Sequence, residues 1–148
     1  MHWAARYVGM PYEPGARGPE KVDCWGLVRM AYLDYFNIEL PLYPGLSMEA
    51  NPIEAATLIN NGLAKGGDWI QVNNPIDGCL VAMSHGTVIH HVGFYADVDI
   101  GRILHCNNGQ MVVADTPRGL RMRGIRIIQY YIHRLWPTSL RPRTPSSP

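Results

Sequence analysis

The sequence predicts an α+β domain, with helices in the first half and an antiparallel sheet after them. Three segments before Gly66 carry apolar residues at helical spacing. From Asp68 onward the chain breaks into short runs rich in β-branched and aromatic residues, divided by turn dipeptides. Its 148 residues, 47% of them apolar, suffice for one buried core without disulfides or a structural metal.

Taken in order, Met1 to Val8 is a short helix with Trp3, Ala4, Tyr7 and Val8 on one side, ended by Gly9 and Pro11. A loop rich in Pro and Gly, carrying Tyr12, runs to Val22. Asp23 is a good N-cap, and Leu27, Val28, Ala31, Tyr32, Tyr35 and Phe36 then recur at helical spacing to about Asn37. Ile38 to Gly45 turns the chain away. Asn51, Pro52 and Glu54 read as cap, first position and capping box of a helix ending near Lys65, where Gly66-Gly67 stops it.

The strand candidates are Trp69 to Val72, Cys79 to Met83, Thr87 to Tyr95, Arg102 to Cys106, Met111 to Ala114, and Ile125 to Leu135. Residues 137–148 are mostly Pro, Ser, Thr and Arg. They are expected to form a loose tail on a domain spanning residues 1–136.

A net charge of +1 argues against a general nucleic-acid binder. Arg118, Arg121, Arg123 and Arg126 fall within nine positions; the simpler reading is a solvated face, the sharper one a contact to acidic groups. No stretch reaches transmembrane length, so no membrane insertion is expected, and the N-terminus has no apolar run fit for a signal peptide. Three cysteines without a C-x-x-C pair support neither a zinc knuckle nor a disulfide framework.

Cys24 is the exception among them. It sits in the first turn of its helix, where unpaired backbone N–H groups and the helix dipole favour a thiolate, whereas Cys79 and Cys106 lie in strands and read as buried, inert thiols. A cysteine nucleophile needs a base, and the base needs an orienting group. If Asp97 to Gly101 forms a hairpin turn centred near Val98, His91 and His105 stand directly opposed on one face of the sheet. A shift of one residue would promote His90 instead, and a longer loop would make Asn107 and Asn108 the orienting groups. His2, His85 and His133 have no partner in the sequence and read as surface or loop residues.

Asp23-Cys24-Trp25-Gly26-Leu27-Val28, followed by His91-Val92-Gly93-Phe94-Tyr95 and Leu104-His105, resembles the NlpC family of papain-like cysteine peptidases, from Trp3 to about Leu135. The resemblance implies that the Cys24 helix packs on a C-terminal antiparallel sheet and that the substrate is a peptidoglycan stem peptide, cut at a γ-D-glutamyl-diaminopimelate type bond. It implies Cys24 as nucleophile, His91 as base and His105 as the third polar residue, with no metal or other cofactor. Tyr12 would lie beside Cys24 and help polarise the scissile carbonyl, Asp23 would lie at the substrate-binding mouth, and Gly26 would let the helix approach the sheet.

Three positions depart from the common pattern: Trp25 where serine is frequent, Cys106 where a small residue is usual, and Asp77-Gly78 in reversed order. The first bears on the substrate subsite. Trp25 and the run Tyr35 to Pro41 are similar to the branch encoded by tailed phages. That likeness implies other phage tail proteins as partners and a virion tail tip acting on the cell wall as location. Three other readings compete: a structural tail component with an inactive site, a thiol amidase or acyltransferase on another substrate, and a zinc site formed by Cys24, His91 and His105.

Overall fold

The computed structural model describes residues 1–86, 88–106 and 109–136; Thr87, the fallback pair Asn107 and Asn108, and the expected tail lie outside the described residues. Its order is a 3-10 turn (Trp3–Tyr7), α1 (Cys24–Ala31) running into a π-helical turn (Tyr32–Phe36), α2 (Pro52–Leu63), β1 (Trp69–Val72), β2 (Leu80–Ser84), β3 (His91–Ala96), β4 (Arg102–His105), β5 (Val113–Asp115), α3 (Pro117–Met122) and β6 (Arg126–His133). The predicted α+β order is observed. The six strands form one sheet in the order β1-β6-β2-β3-β4-β5, with every neighbouring pair antiparallel.

Local chemistry explains where elements begin and end. The Asp23 side chain caps α1 by accepting from Gly26 N at 2.8 Å, and the helix closes at Asn37 in the left-handed conformation (φ 56°), which a short polar side chain tolerates. The capping box predicted for α2 does not form. A turn already built from Ser47 leads into the helix, and Asn51 Oδ1 accepts from Ser47 N instead of from the helix amides. The sequence reading missed α3: Pro117 occupies its first turn and Thr116 Oγ1 accepts from Gly119 N at 3.0 Å, a cap-plus-proline start just before the arginine cluster.

The central strand β2 is buried along its whole length because both faces of the sheet are covered. Leu80 and Ala82 pack with Val28 and Tyr32 of the α1 segment and Leu63 of α2, while Val81 and Met83 point the other way and pack with Ile103, Leu120 of α3 and Ile125. That two-sided burial explains why Cys79 to Met83 reads as a continuous apolar run rather than an alternating one. Cys79 and Cys106 are buried, as expected for inert thiols, and burial pushes the Cys79 thiol up to about 12.

Two histidines correct the sequence reading. His133 is buried against the Trp69 ring, and its Nδ1 accepts from Leu135 N at 3.1 Å. His2 Nδ1 accepts from Ala4 N, capping the first turn, and Nε2 lies 2.7 Å from Asp77 Oδ1. Gly26 is corrected as well. A Cβ there would come within 2.1 Å of Ala16 O, so the close approach it permits is to the preceding loop, folded back under the helix start, and not to the sheet.

Candidate active site

Where α1 begins, its first turn crosses the starting end of β3. Cys24 and His91 line one pocket of about 350 Å³ together with Tyr12, Asp23, Met48, Glu49, His85, His90 and Cys106. The backbone N–H groups of Val92 and Trp25 lie against the sulfur. Among the described residues no hydrogen bond joins Cys24 to His91, although both line the pocket; catalytic hydrogen bonds are often looser in free enzymes.

The pocket changes the expectation for the thiol. Burial and the neighbouring carboxylates of Asp23 and Glu49 push Cys24 up to about 12, against the opposing pull of the Val92 and Trp25 amides. Burial thus opposes the helix end, which favours a thiolate. That end stabilises negative charge that forms during attack. Burial and the neighbouring His105, His90 and His85 rings hold the His91 imidazole well below the usual histidine range.

His91 Nε2 lies 2.9 Å from His105 Nδ1, with the rings nearly perpendicular, which leaves His91 Nδ1 as its remaining nitrogen. The predicted pairing of these residues holds, but the hairpin that produces it is centred one residue later than expected. Phe94 pairs with Leu104, Tyr95 with Ile103 and Ala96 with Arg102, so the same register carries His105 opposite Gly93, and His91 sits diagonally from it. A shift of one in the turn centre moves the partner by two. Side-chain parity is kept, and the two rings still share a face.

His90 points elsewhere: its Nε2 accepts from His85 N at 2.9 Å, and its ring stacks on His85 at the pocket mouth. His85 thus belongs to the pocket, its Nδ1 3.1 Å from Gly124 O, where the sequence suggested a loop histidine without a partner. Two further side chains escaped the sequence reading. Asp115 Oδ2 lies 2.7 Å from His105 Nε2, and Glu49 stands beside Cys24 and Tyr12. Hairpin parity about the glycine turn at Gly109 (φ 76°) was the available signal for Asp115; nothing in the sequence marked Glu49.

The structure brings Tyr12, Asp23 and Trp25 to the same end of α1 and gives each a partner. The Tyr12 hydroxyl donates to Glu49 Oε1, and burial with that carboxylate pushes the phenol up. Asp23 accepts from Gly15 N at 3.0 Å, from Gly26 N, and from Arg17 Nη1 at 2.8 Å to both oxygens. Arg17 also donates to Leu42 O, Tyr43 O and Leu46 O, tying the segment that covers Cys24 to the helix cap. Trp25 Nε1 donates to Pro41 O at 2.8 Å and its ring packs near Tyr43, walling a second, apolar hollow with Leu58 and Ile59 on the other side of Cys24.

Among the described residues no group of three or more His, Cys, Asp or Glu side chains is arranged to hold a metal ion, and no helix is long and apolar enough to cross a membrane. His91 and His105 direct nitrogens at each other rather than at a common point with Cys24. The arginine cluster is divided: Arg118 and Arg121 lie on α3, Arg123 follows it with Nε 3.6 Å from Asp115 Oδ2, and Arg126 on β6 donates to Gly86 O.

Residues 9–135 match the NlpC/P60 family. The chain belongs to that family. Among solved structures, the NlpC/p60 domain of the peptidoglycan hydrolase SagA is similar at 20% identity, covering 87% of this chain and 91% of that one with a TM-score of 0.54. NlpC2 from Trichomonas vaginalis is also similar at 20% identity, with 91% of this chain covered and a TM-score of 0.59, though this NlpC/P60 chain spans only 44% of its length. No curated protein sequence matches. The two structures share the NlpC/P60 fold described above.

Proposed function

We propose that this NlpC/P60 chain is a cysteine endopeptidase that hydrolyses peptidoglycan stem peptides at a γ-D-glutamyl-diaminopimelate type bond. The observation that carries this reading is the shared pocket: a first-turn thiol and an imidazole line it together, and Nε2 of that imidazole lies 2.9 Å from a second imidazole. A peptidoglycan hydrolase with the same fold, SagA, supports the substrate class.

In the reaction Cys24 Sγ attacks the amide carbonyl carbon while the thiol proton passes to His91 Nδ1. Charge develops on the carbonyl oxygen beside the Cys24 backbone N–H, an end-of-helix donor without an intrahelical partner, with Tyr12 nearby. Collapse breaks the C–N bond, and His91 returns the proton to the departing amine. Water then attacks the thioester with His91 as base, releasing the carboxylate and restoring the thiol. No step calls for a metal or other cofactor.

The setting proposed for this activity is the tail of a bacteriophage, among other tail proteins, with the virion tail tip acting on the cell wall. Trp25 and the Tyr35 to Pro41 run support it, and the fold joins them through the Trp25–Pro41 hydrogen bond. The test is incubation of the purified protein and its Cys24→Ala variant with defined muropeptides, reading the products by mass spectrometry. The expected result is one new amine and one new carboxylate at the γ-D-glutamyl bond with the parent only. Equal products from both proteins, or none from either, overturn the reading.

A further inference from the structure

Side chains on β3, β4 and β5 form a straight diagonal line across the sheet. Ile103 pairs with Asp115 and His105 with Val113, so Asp115 stands two positions along from the residue opposite His105, on the same face. His91 stands in the matching relation on the other side of His105. Contacts follow the line: His91 Nε2 to His105 Nδ1 at 2.9 Å, His105 Nε2 to Asp115 Oδ2 at 2.7 Å, and Asp115 Oδ2 to Arg123 Nε at 3.6 Å. His105 and His91 are buried, and the Asp115 side chain is only 13% exposed.

We propose that Asp115, backed by Arg123, is a positioning residue that fixes His105, and through it His91, in the one tautomer able to take a proton from Cys24. An ionised carboxylate only accepts hydrogen bonds, so the proton facing Asp115 sits on His105 Nε2. A neutral ring carries one N–H, which leaves His105 Nδ1 bare. That bare nitrogen needs a donor at 2.9 Å, so His91 carries its proton on Nε2. His91 Nδ1 is then the free lone pair on a residue lining the Cys24 pocket, as a general base requires. Burial keeps both rings below the usual histidine range, which matches the single proton assigned to each.

Without the carboxylate the line can reverse. His105 would be free to carry its proton on Nδ1 and donate to His91 Nε2, leaving His91 protonated on Nδ1 and unable to accept from the thiol. Arg123 gives the carboxylate a cationic neighbour at Oδ2, the same oxygen that faces His105. α3 accordingly does more than close the sheet face: its C-terminal end presents that guanidinium.

This proposal rests on the peptidase reading for its kinetic consequence but not for its spectroscopic one. The decisive measurement is the nitrogen-15 spectrum of histidine-labelled protein without substrate. The parent is expected to show N–H on Nε2 of both His91 and His105, with both Nδ1 unprotonated. A proton on Nδ1 of either ring in the parent overturns the proposal without any variant being made. In Asp115→Asn, checked for folding by its thermal transition, the His105 Nδ1–H form is expected to appear; Asp115→Glu is expected to keep the parental pattern. An unchanged His91 and His105 spectrum in folded Asp115→Asn also overturns it. With muropeptides, Asp115→Asn is expected to lower kcat by roughly 100-fold, the low end of what general acid–base catalysis contributes, with KM little changed. A parent that shows the assigned tautomers yet cleaves nothing sinks the proposed function and leaves the tautomer assignment standing.

Discussion

His91 and His105 meet through their ring nitrogens at 2.9 Å although neither is opposite the other in the strand ladder. The residue opposite His105 is Gly93. Its missing side chain lets the backbone of β4 and the base of the His105 side chain sit close, so the imidazole reaches diagonally to His91.

Gly93→Ala is therefore expected to damage both fold and site. A Cβ at this position would meet Leu104 O at 2.4 Å and His105 Cβ at 3.0 Å, and backbone oxygen cannot swing aside as a flexible side chain does. Overpacking of this kind destabilises by roughly 1–3 kcal/mol. Urea unfolding reads the first effect, and muropeptide turnover per folded molecule reads the second. A variant with parental stability and parental kcat would show that the close approach is not what seats His105.

Stability should fall on the acid side of about pH 6.5, the ordinary histidine value. His91 and His105 are held below that value mainly by burial, so just under it the unfolded chain binds protons that the folded chain refuses. The sign follows: their contribution is fully present above about pH 6.5 and is lost as pH drops toward the folded pKa values. Each ring is expected to remove up to roughly 1.4 kcal/mol per pH unit within that window. Urea midpoints at pH 7.5, 6.5 and 5.5 measure it, and His91→Gln should flatten the slope. A midpoint that holds steady from pH 7.5 to 5.5 contradicts the prediction.

The elements that were legible in the sequence are those set by local chemistry. Asp23 caps α1, Asn37 ends its π-helical extension, and turn residues bound the strands. The His91–His105 pairing was legible despite a misplaced turn centre because parity survives a two-residue slip. What stayed hidden depends on long-range contacts. Asp115 reaches His105 only through the β4–β5 register, and Glu49 meets Tyr12 only because Arg17 ties the intervening segment back onto Asp23. The surroundings of Cys24 stayed hidden for the same reason: helix position is local, but the burial that opposes it involves the segment around Met48 and Glu49.

Alkylation of Cys24 by iodoacetamide should accelerate close to tenfold for each pH unit between pH 7 and 9. With the thiol pushed up to about 12, the thiolate fraction keeps growing through that whole range. Glu49→Gln removes one of the carboxylates that raise the thiol, so it should alkylate faster than the parent at any pH in the range. Peptide mapping distinguishes Cys24 from Cys79 and Cys106. A rate that levels off below pH 8 would instead reveal a standing thiolate, with the helix end prevailing over burial.

Tyr12→Phe tests the oxyanion assignment. In the resting structure the Tyr12 hydroxyl donates to Glu49, so it can serve a developing oxyanion beside Cys24 only by exchanging that acceptor for the substrate oxygen. Such an exchange strengthens as charge builds and contributes little to ground-state binding. Loss of one oxyanion donor lowers kcat by roughly 100- to 1000-fold, whereas KM should change far less. Glu49→Gln keeps an acceptor for Tyr12 but a weaker, uncharged one, which releases the hydroxyl more readily, so kcat should not fall. Muropeptide kinetics on both variants decide the matter. Parental turnover in Tyr12→Phe would reduce the tyrosine to a wall of the pocket, and a loss confined to KM would make it a binding group.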